Sequence, residues 1–347
     1  MATLDDDLPQ ENVKSVFASL RVNDYKYLSI GLLGSAFALN MQLIAQGWMV
    51  YEMTSSAMKL TWVTLSFMIP QVVFSLLGGV LADRFAKKPI IGWAPFINGL
   101  ATLVMALIIF SGKADFSAFL VIGFLNGTVL ALSMPARTAF IPELVGEELI
   151  FNAMAFNSAC WNLARIVGPA AAGFIIAIFA EGNTTSGFGV GLVYVILSLL
   201  YFVSALSVLY ISHPGRPVQI QKKSALKDTQ EALRYVANSP IVGGLILLSI
   251  LPFLFGLSIN TLLPAFSTDV LKGGPDDLGL LMTGMGFGAI IGSLALAKMS
   301  SVTKKGFWII GTGALWGGLV AIFSITNNYL ISTIVIGCIG FVSAINM

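Results

Sequence analysis

The sequence predicts an all-α protein that crosses a membrane many times. Hydrophobic residues make up 56% of its 347 residues and charged residues only 10%, whereas a soluble domain carries roughly 25% charge. So few charges could not cover the surface of a water-soluble globule, and the high hydrophobicity excludes a disordered chain. The apolar residues are also grouped into runs of about twenty residues, the length that a helix needs to cross a bilayer.

Ten apolar runs are predicted to be transmembrane helices, because they are too long and too weakly alternating for the strands of a barrel. In chain order these spans cover residues 28–50, 60–82, 89–110, 116–134, 152–180, 189–211, 241–267, 278–298, 307–326 and 329–347. Residues 1–20 are polar and lack the basic start and short apolar core of a signal peptide. We therefore expect the first span itself to direct insertion.

The loops between the spans differ in charge on the two sides of the membrane. Fifteen Lys and Arg residues fall on the side of the N-terminus and only three, Lys59, Lys113 and Lys272, on the other. Because cytoplasmic loops are enriched in Lys and Arg, this bias predicts a cytoplasmic N-terminus. The basic residues act as topology signals, and we expect no nucleic-acid partner.

A long polar stretch divides the spans into six and four. The expected organisation is a cytoplasmic segment at 1–27, a six-helix bundle at 28–211, a cytoplasmic linker at 212–240 and an incomplete four-helix bundle at 241–347. Aligning Leu60 with Leu278 reveals an internal repeat, which places Lys87 beside Lys305. Repeated halves joined by a linker are how many secondary transporters are built.

The loop after the second span carries a motif of one glycine and four charged residues: Gly79, Asp83, Arg84, Lys87 and Lys88. It resembles the motif between helices two and three of the major facilitator superfamily, with Ala86 where that family prefers glycine. The resemblance implies a gate, in which Asp83 would pair with Arg84 or Arg137 at the cytoplasmic edge. The alternative is that the basic residues only anchor the loop in the cytoplasm.

The fifth span carries small residues around a proline: Gly168, Pro169 and Gly173. Their spacing resembles the superfamily's antiporter motif, which marks exporters, although alanine replaces glycine at three positions. Small side chains let a neighbouring helix approach closely, and proline bends the helix. A role in packing alone is the alternative.

Further segments resemble one bacterial branch of this superfamily, which contains the enterobactin exporters and the macrolide efflux proteins. These segments are 46–56, 126–137, 141–145 and 152–153. The superfamily has twelve spans, six in each half, so the resemblance implies that this chain is a fragment without its last two helices.

Arg165 is the outstanding polar residue, because it lies 13 residues into the fifth span, about 20 Å along the helix and near the middle of the membrane. Asn157, Trp161 and Asn162 precede it at spacings that place all four on one helical face. We expect this face to line a central cavity, where Arg165 attracts an anionic or polar substrate group. The alternative is a buried arginine bonded to carbonyls of a neighbouring helix.

Amide side chains supply the other candidate cavity residues: Asn40, Gln71, Asn126 and Asn260. Each could instead form an ordinary hydrogen bond between helices. The two cysteines, Cys160 and Cys338, lie within spans and predict neither a disulfide nor a metal site. We expect no metal and no cofactor.

Enzymatic activity is not expected. No phosphate-binding loop for ATP is present, and Asp276 with Asp277 is the only acidic pair in a loop that could resemble a membrane-embedded transferase. No carboxylate lies deep in a predicted span, so the sequence does not show how transport would be coupled to protons.

The resemblance therefore predicts a monomeric secondary transporter that exports small amphipathic molecules, drug-like or siderophore-like, by alternating access. Its expected partners are the substrate, protons and the lipid bilayer. Two alternatives stay open: an importer of a small solute, and a sensor or scaffold on a transporter fold, because fold does not determine function.

Overall fold

A computed structural model describes residues 17–180, 187–216, 258–298 and 305–346, together with 234, 236, 238–239 and 242–244. None of the described residues forms a strand, which confirms the all-α prediction. Ten α-helices of twelve or more residues are defined: α1 Asn23–Thr54, α2 Ala57–Arg84, α3 Lys87–Phe110, α4 Phe116–Val145, α5 Ile150–Ala180, α6 Gly187–Leu209, α7 Ser258–Asp269, α8 Pro275–Lys298, α9 Lys305–Ile325 and α10 Tyr329–Asn346.

Eight of these helices, α1 to α6 with α9 and α10, are long and apolar enough to cross a bilayer. Helix α8 contains a shorter apolar segment, Asp277–Gly292. Most of the predicted seventh span and most of the predicted linker at 212–240 lie outside the described residues. The count of ten spans and the boundaries of the two bundles therefore stay predictions.

Short polar turns connect the long helices on the side of the membrane where α1 ends, called here the far side. Ser55 ends α1 in the left-handed conformation, with φ of 45°. Asp115 caps α4 by accepting hydrogen bonds from the Ser117 hydroxyl at 2.7 Å and the Ala118 amide at 2.9 Å. These bonds favour the ionised carboxylate and hold the pKa of Asp115 below its usual value.

Close packing within α1 to α6, called here the first helix group, depends on small residues. Helix α2 packs on α4, α3 on α6, and α1 on both α5 and α6. A Cβ atom on Gly78 would meet the backbone of Ala131, and one on Gly127 would meet the backbone of Phe67. Glycine at both positions lets α2 and α4 approach until their backbones are in contact.

Helices α7 to α10 follow in the chain and are called here the second helix group: α8 packs on α10 and α9 on α10, whereas α7 contacts α1, α2 and α8. The contact of α8 with α10 also depends on glycine, because a Cβ on Gly288 would meet the backbone of Gly337. The second helix of each group thus packs on the fourth through glycines. Helix α5 joins the two groups by packing on α8.

The side of the membrane where α1 begins, called here the near side, is held together by hydrogen bonds between charged side chains and main-chain groups. The carboxylate of Asp24 accepts from the amides of Ser212 and His213 at 2.9 and 2.8 Å. The Lys88 ammonium donates to the carbonyls of Leu209 and Ile211 at 3.3 and 2.5 Å. The segment that follows α6 is therefore fixed to the first turns of α1 and α3.

Candidate functional site

A cavity of about 180 Å³ lies between the two helix groups, where α1, α2, α5, α7 and α8 meet. Its polar lining consists of Asn40, Gln46, Thr64, Arg165 and Thr261. Its other lining residues are Leu43, Ile44, Gly47, Leu60, Val63, Met68, Pro169, Pro264, Met282 and Met285. This central cavity thus combines one cation and a few neutral polar groups with mostly apolar walls.

Arg165 is the only charged residue that lines the described central cavity. It is half-buried, and one of its terminal nitrogens, Nη2, donates to Oδ1 of Asn162 at 2.9 Å, one turn earlier on α5. This bond orients the guanidinium on its own helix. A cation at this depth carries a high desolvation cost, which an anionic ligand would offset.

Asn40 and Gln46 contribute amide groups from α1. Asn40 is buried, and its Nδ2 donates to the carbonyl of Ala36 at 2.8 Å, which leaves its Oδ1 available to the cavity. Gln46 is linked to Gln42 through Nε2 of Gln42 at 3.4 Å. Gln42 in turn accepts from Nδ2 of Asn126 at 3.0 Å. A row of amides therefore connects the cavity to the interior of the first helix group.

The other predicted cavity residues lie elsewhere. Asn126 and Trp161 line a second, smaller cavity inside the first helix group. Gln71 donates to the carbonyl of Phe67 on its own helix at 3.5 Å, and neither it nor Asn157 lines the described central cavity. Asn260 lies on α7, and its side chain falls outside the described residues.

The methionines of the central cavity, Met68, Met282 and Met285, were not predicted from the sequence. An apolar residue in an apolar span can face lipid, a neighbouring helix or a cavity. Its residue type therefore does not indicate which of the three it contacts. Finding them would have required knowing how the helices pair, because the pairing brings these residues to the same cavity as Arg165.

The gating motif differs in detail from the expectation. Asp83 and Arg84 are exposed, and no ion pair joins Asp83 to Arg84 or Arg137 in the described structure. Lys87, which is buried in the first turn of α3, instead forms an ion pair with Oε1 of Glu143 on α4 at 2.8 Å. The motif's ion pair therefore connects α3 to α4, and Arg137 is buried inside the first helix group rather than at its edge.

The motif's Gly79 and the neighbouring Gly78 differ in their contacts with α4. A Cβ atom on Gly79 would meet nothing within 4 Å, whereas one on Gly78 would meet α4. The close approach of α2 to α4 therefore depends on Gly78, together with Gly127 on α4, and not on Gly79.

The small residues of α5 lie beside the central cavity. A Cβ on Gly168 would come within 3.0 Å of the Asn40 Cβ on α1, and Gly173 contacts Gly279 on α8. Pro169 lies between them and lines the cavity. The packing motif thus holds α5 against both α1 and α8, which positions Arg165 between the two helix groups.

The far side carries a contact between the groups that the sequence did not reveal. The hydroxyl of Tyr51, at the end of α1, donates a hydrogen bond to Oδ2 of Asp269, at the end of α7. Nearby, Oε2 of Glu52 is buried without a hydrogen-bond partner among the described residues. No described group of three or more His, Cys, Asp and Glu side chains could hold a metal ion.

Comparison with known proteins places these features in a family. A family model described as "transmembrane secretion effector", of the major facilitator type, matches residues 14–345. The enterobactin exporter of Citrobacter koseri is 25% identical over 323 residues, which cover 92% of this chain and 72% of that protein. The staphyloferrin A transporter of Staphylococcus aureus is 25% identical over 266 residues, covering 74% of this chain and 62% of that protein.

Solved structures of transporters share the fold. A bacterial homologue of the human lysosomal transporter Spinster superposes with a TM-score of 0.67 at 16% identity, over 94% of this chain and 73% of that one. The nucleoside transporter NupG superposes with a TM-score of 0.70 at 15% identity, over 93% of this chain and 80% of that one. The membrane-embedded transporter fold expected from the motifs is therefore confirmed.

Proposed function

Because the chain belongs to the transmembrane secretion effector family of major facilitator transporters, we propose that it exports small anionic, siderophore-like molecules by alternating access. The observation that carries this proposal is the central cavity, which places Arg165 between the two helix groups. A binding site between two such groups is the arrangement through which secondary transporters expose a substrate to each side in turn.

The lining of the central cavity favours an amphipathic anion. Arginine binds carboxylates and similar oxyanions through two parallel hydrogen bonds. Met68, Met282 and Met285 supply flexible thioethers that adapt to differently shaped apolar groups. Siderophores combine anionic metal-binding groups with a larger scaffold, and the named cargo of the two relatives belongs to this class.

The size of the cavity indicates that transport requires movement. A pocket that buries a drug-sized ligand usually measures about 300–1,000 Å³, and the described cavity of about 180 Å³ is smaller. Binding a siderophore would therefore require the helix groups to move apart. Tyr51 and Asp269 join the groups on the far side, so opening toward that side would break their hydrogen bond.

We further propose that the proton gradient drives export and that Glu52 is involved in the coupling. Its Oε2 is buried at the far side without a partner among the described residues, and a carboxylate in that position can exchange a proton as its surroundings open and close. Glu52→Gln should abolish proton-driven export but retain exchange of labelled for unlabelled substrate in proteoliposomes. Equal loss of both activities would contradict a coupling role.

The proposed setting is the bacterial inner membrane, with the N-terminus in the cytoplasm and the protein acting as a monomer. The excess of Lys and Arg in the near-side loops supports this orientation. The near side would then be the cytoplasmic side from which substrate enters, and the far side the one to which it is released.

An accumulation assay tests the function. Cells that lack their own siderophore exporters would express this chain and be loaded with enterobactin or staphyloferrin A, with a macrolide as a third probe. We expect lower intracellular siderophore than in cells with the empty vector, and a protonophore should remove the difference. Higher intracellular substrate would indicate import, and unchanged levels of all three probes would overturn the proposed export.

A further inference from the structure

A second cavity lies inside the first helix group, separate from the central cavity. It measures about 20 Å³ and is lined by residues of α1, α3, α4, α5 and α6. Its polar lining residues are Ser35, Asn98, Asn126, Ser133, Arg137, Trp161 and Tyr201. Helices α2, α7 and α8, which border the central cavity, do not contribute to it.

Arg137 brings a full positive charge to this inner cavity. Its side chain is only 8% exposed, and its guanidinium forms no hydrogen bond and no ion pair with the described residues. Glu143, the nearest carboxylate along α4, is paired with Lys87 instead. An uncompensated charge costs several kcal/mol inside a membrane protein. A bound anion would offset this cost at Arg137.

Other polar hydrogens at the inner cavity are also unused. The indole Nε1 of Trp161 is buried without a hydrogen-bond partner among the described residues. Asn98 is only 6% exposed, and its Oδ1 is buried without a hydrogen-bond partner among the described residues. Since the oxygen and nitrogen of such an amide can exchange places by rotation, Asn98 can present its N–H groups to a ligand.

The size of the inner cavity limits what can bind. About 10–15 Å³ of such space holds one water-sized sphere, and the cavity offers about 20 Å³. A phosphate, a sulfate or a carboxylic acid is too large. The donors and the charge therefore fit a single small spherical anion.

We propose that the inner cavity binds one halide ion, chloride in the cell, through Arg137, Trp161 and Asn98. The ion would neutralise Arg137 and tie α3, α4 and α5 together inside the first helix group. This binding goes beyond the proposed export and does not depend on the identity of the exported molecule.

Iodide quenching of tryptophan fluorescence tests the site in the purified full chain. Ionic strength is held constant with sodium gluconate, and chloride is added as the competitor. We expect part of the quenching to saturate with iodide and to be reversed by chloride. Because the sequence contains six tryptophans, Trp161→Phe is needed to assign this part to Trp161, and it should remove it. Arg137→Gln should weaken iodide binding roughly tenfold or more, because a charged donor is lost. The proposal would be overturned if quenching rose linearly with iodide concentration and were the same in the wild type and in both variants.

Thermal unfolding provides a second measurement that does not depend on fluorescence. Replacing gluconate with chloride should raise the unfolding temperature of the wild-type chain, because a ligand that binds the folded state stabilises it. The same exchange should not affect Arg137→Gln. If gluconate and chloride give equal unfolding temperatures in the wild-type chain, the cavity holds water and not an anion.

Discussion

Two arginines in the first helix group show how local surroundings determine the role of a charge. Arg165 is half-buried, lines the central cavity and is oriented by Asn162 at 2.9 Å. Arg137 is buried away from that cavity, among amide, indole and hydroxyl groups. The same side chain is therefore a candidate for substrate binding at one position and for ion binding at the other.

Arg165 provides the first prediction at this scale. Arg165→Gln should raise the concentration of anionic substrate for half-maximal export roughly tenfold or more, because a charge-assisted hydrogen bond to a ligand contributes about 1.5–3 kcal/mol. Arg165→Lys should recover part of the loss, since it keeps the charge but not the paired donors. Transport kinetics in vesicles measure the effect.

Asn157→Ala is the matched control for Arg165, because Asn157 lies on α5 but does not line the described central cavity. Export by this variant should match the wild type. If Arg165→Gln also matched it, the proposed contact between Arg165 and the substrate would be wrong.

The ion pair of the gating motif provides the second prediction. Lys87→Ala leaves the Glu143 carboxylate, which is 25% exposed, without its partner. Breaking a buried pair costs about 3–5 kcal/mol, and partial exposure of Glu143 should reduce the loss of unfolding free energy to about 2–3 kcal/mol. Chemical unfolding in detergent measures it.

The double variant Lys87→Met with Glu143→Leu separates the two effects. It removes both charges, so it should be much closer to the wild type than Lys87→Ala is. A double variant as unstable as the single one would show that side-chain packing, and not the ion pair, holds α3 to α4.

At the scale of the helix, backbone contacts through glycine determine which elements become neighbours. Gly78 and Gly127 bring α2 against α4, and Gly288 brings α8 against α10. Membrane helices gain little from burying apolar surface against each other, because lipid is equally apolar. Close backbone packing is therefore a main source of specificity in this fold.

Two glycine substitutions should have opposite effects. Gly127→Ala should lower the free energy of unfolding by about 1–3 kcal/mol, because its Cβ would meet the backbone of Phe67. Gly79→Ala should raise it by about 0.5–1 kcal/mol, because the position is open and alanine favours a helix. Unfolding temperatures of both variants check the signs, and a loss of equal size at both positions would contradict the packing assignment.

At the scale of the molecule, the two helix groups meet around the central cavity and are joined on the far side by Tyr51 and Asp269. The near side of the first group is held by contacts within that group, including Lys87 with Glu143. This distribution suits a transporter in which the groups move as units while each keeps its own internal bonds.

Tyr51→Phe should favour opening on the far side. It removes one hydrogen bond to a carboxylate, worth about 1.5 kcal/mol, which corresponds to a roughly tenfold change in the ratio of two conformations. Spin labels can replace Met58 and Lys272 on a background without the native cysteines. The fraction of molecules with the longer distance between the two labels should be larger in Tyr51→Phe than with Tyr51 in place.

Tyr194→Phe is the matched control for Tyr51→Phe. The Tyr194 hydroxyl is buried in α6 without a hydrogen-bond partner among the described residues, so its removal breaks no bond between the groups. A change of equal size in both variants would mean that the Tyr51 bond does not hold the far side closed.

Sequence patterns identified the outline of the site but not its full composition. The spacing of polar residues on α5 identified Arg165, and Asn40 was identified by its depth in the first span. Asn126 and Trp161 were assigned to the same cavity, but they line the inner one. Position along a helix indicates depth in the membrane, but the direction of a side chain depends on which neighbours the helix packs against.

The sequence by itself determined that the chain is α-helical and belongs in a membrane. Apolar runs of this length must satisfy their backbone hydrogen bonds internally, which leaves the helix as the structure for each run. Only the tertiary structure decided that Lys87 pairs with Glu143, that three methionines line the same cavity as Arg165, and that Arg137 lies at a separate cavity. These relations join residues far apart in the chain, so they depend on how the helices pack and not on the pattern within any one of them.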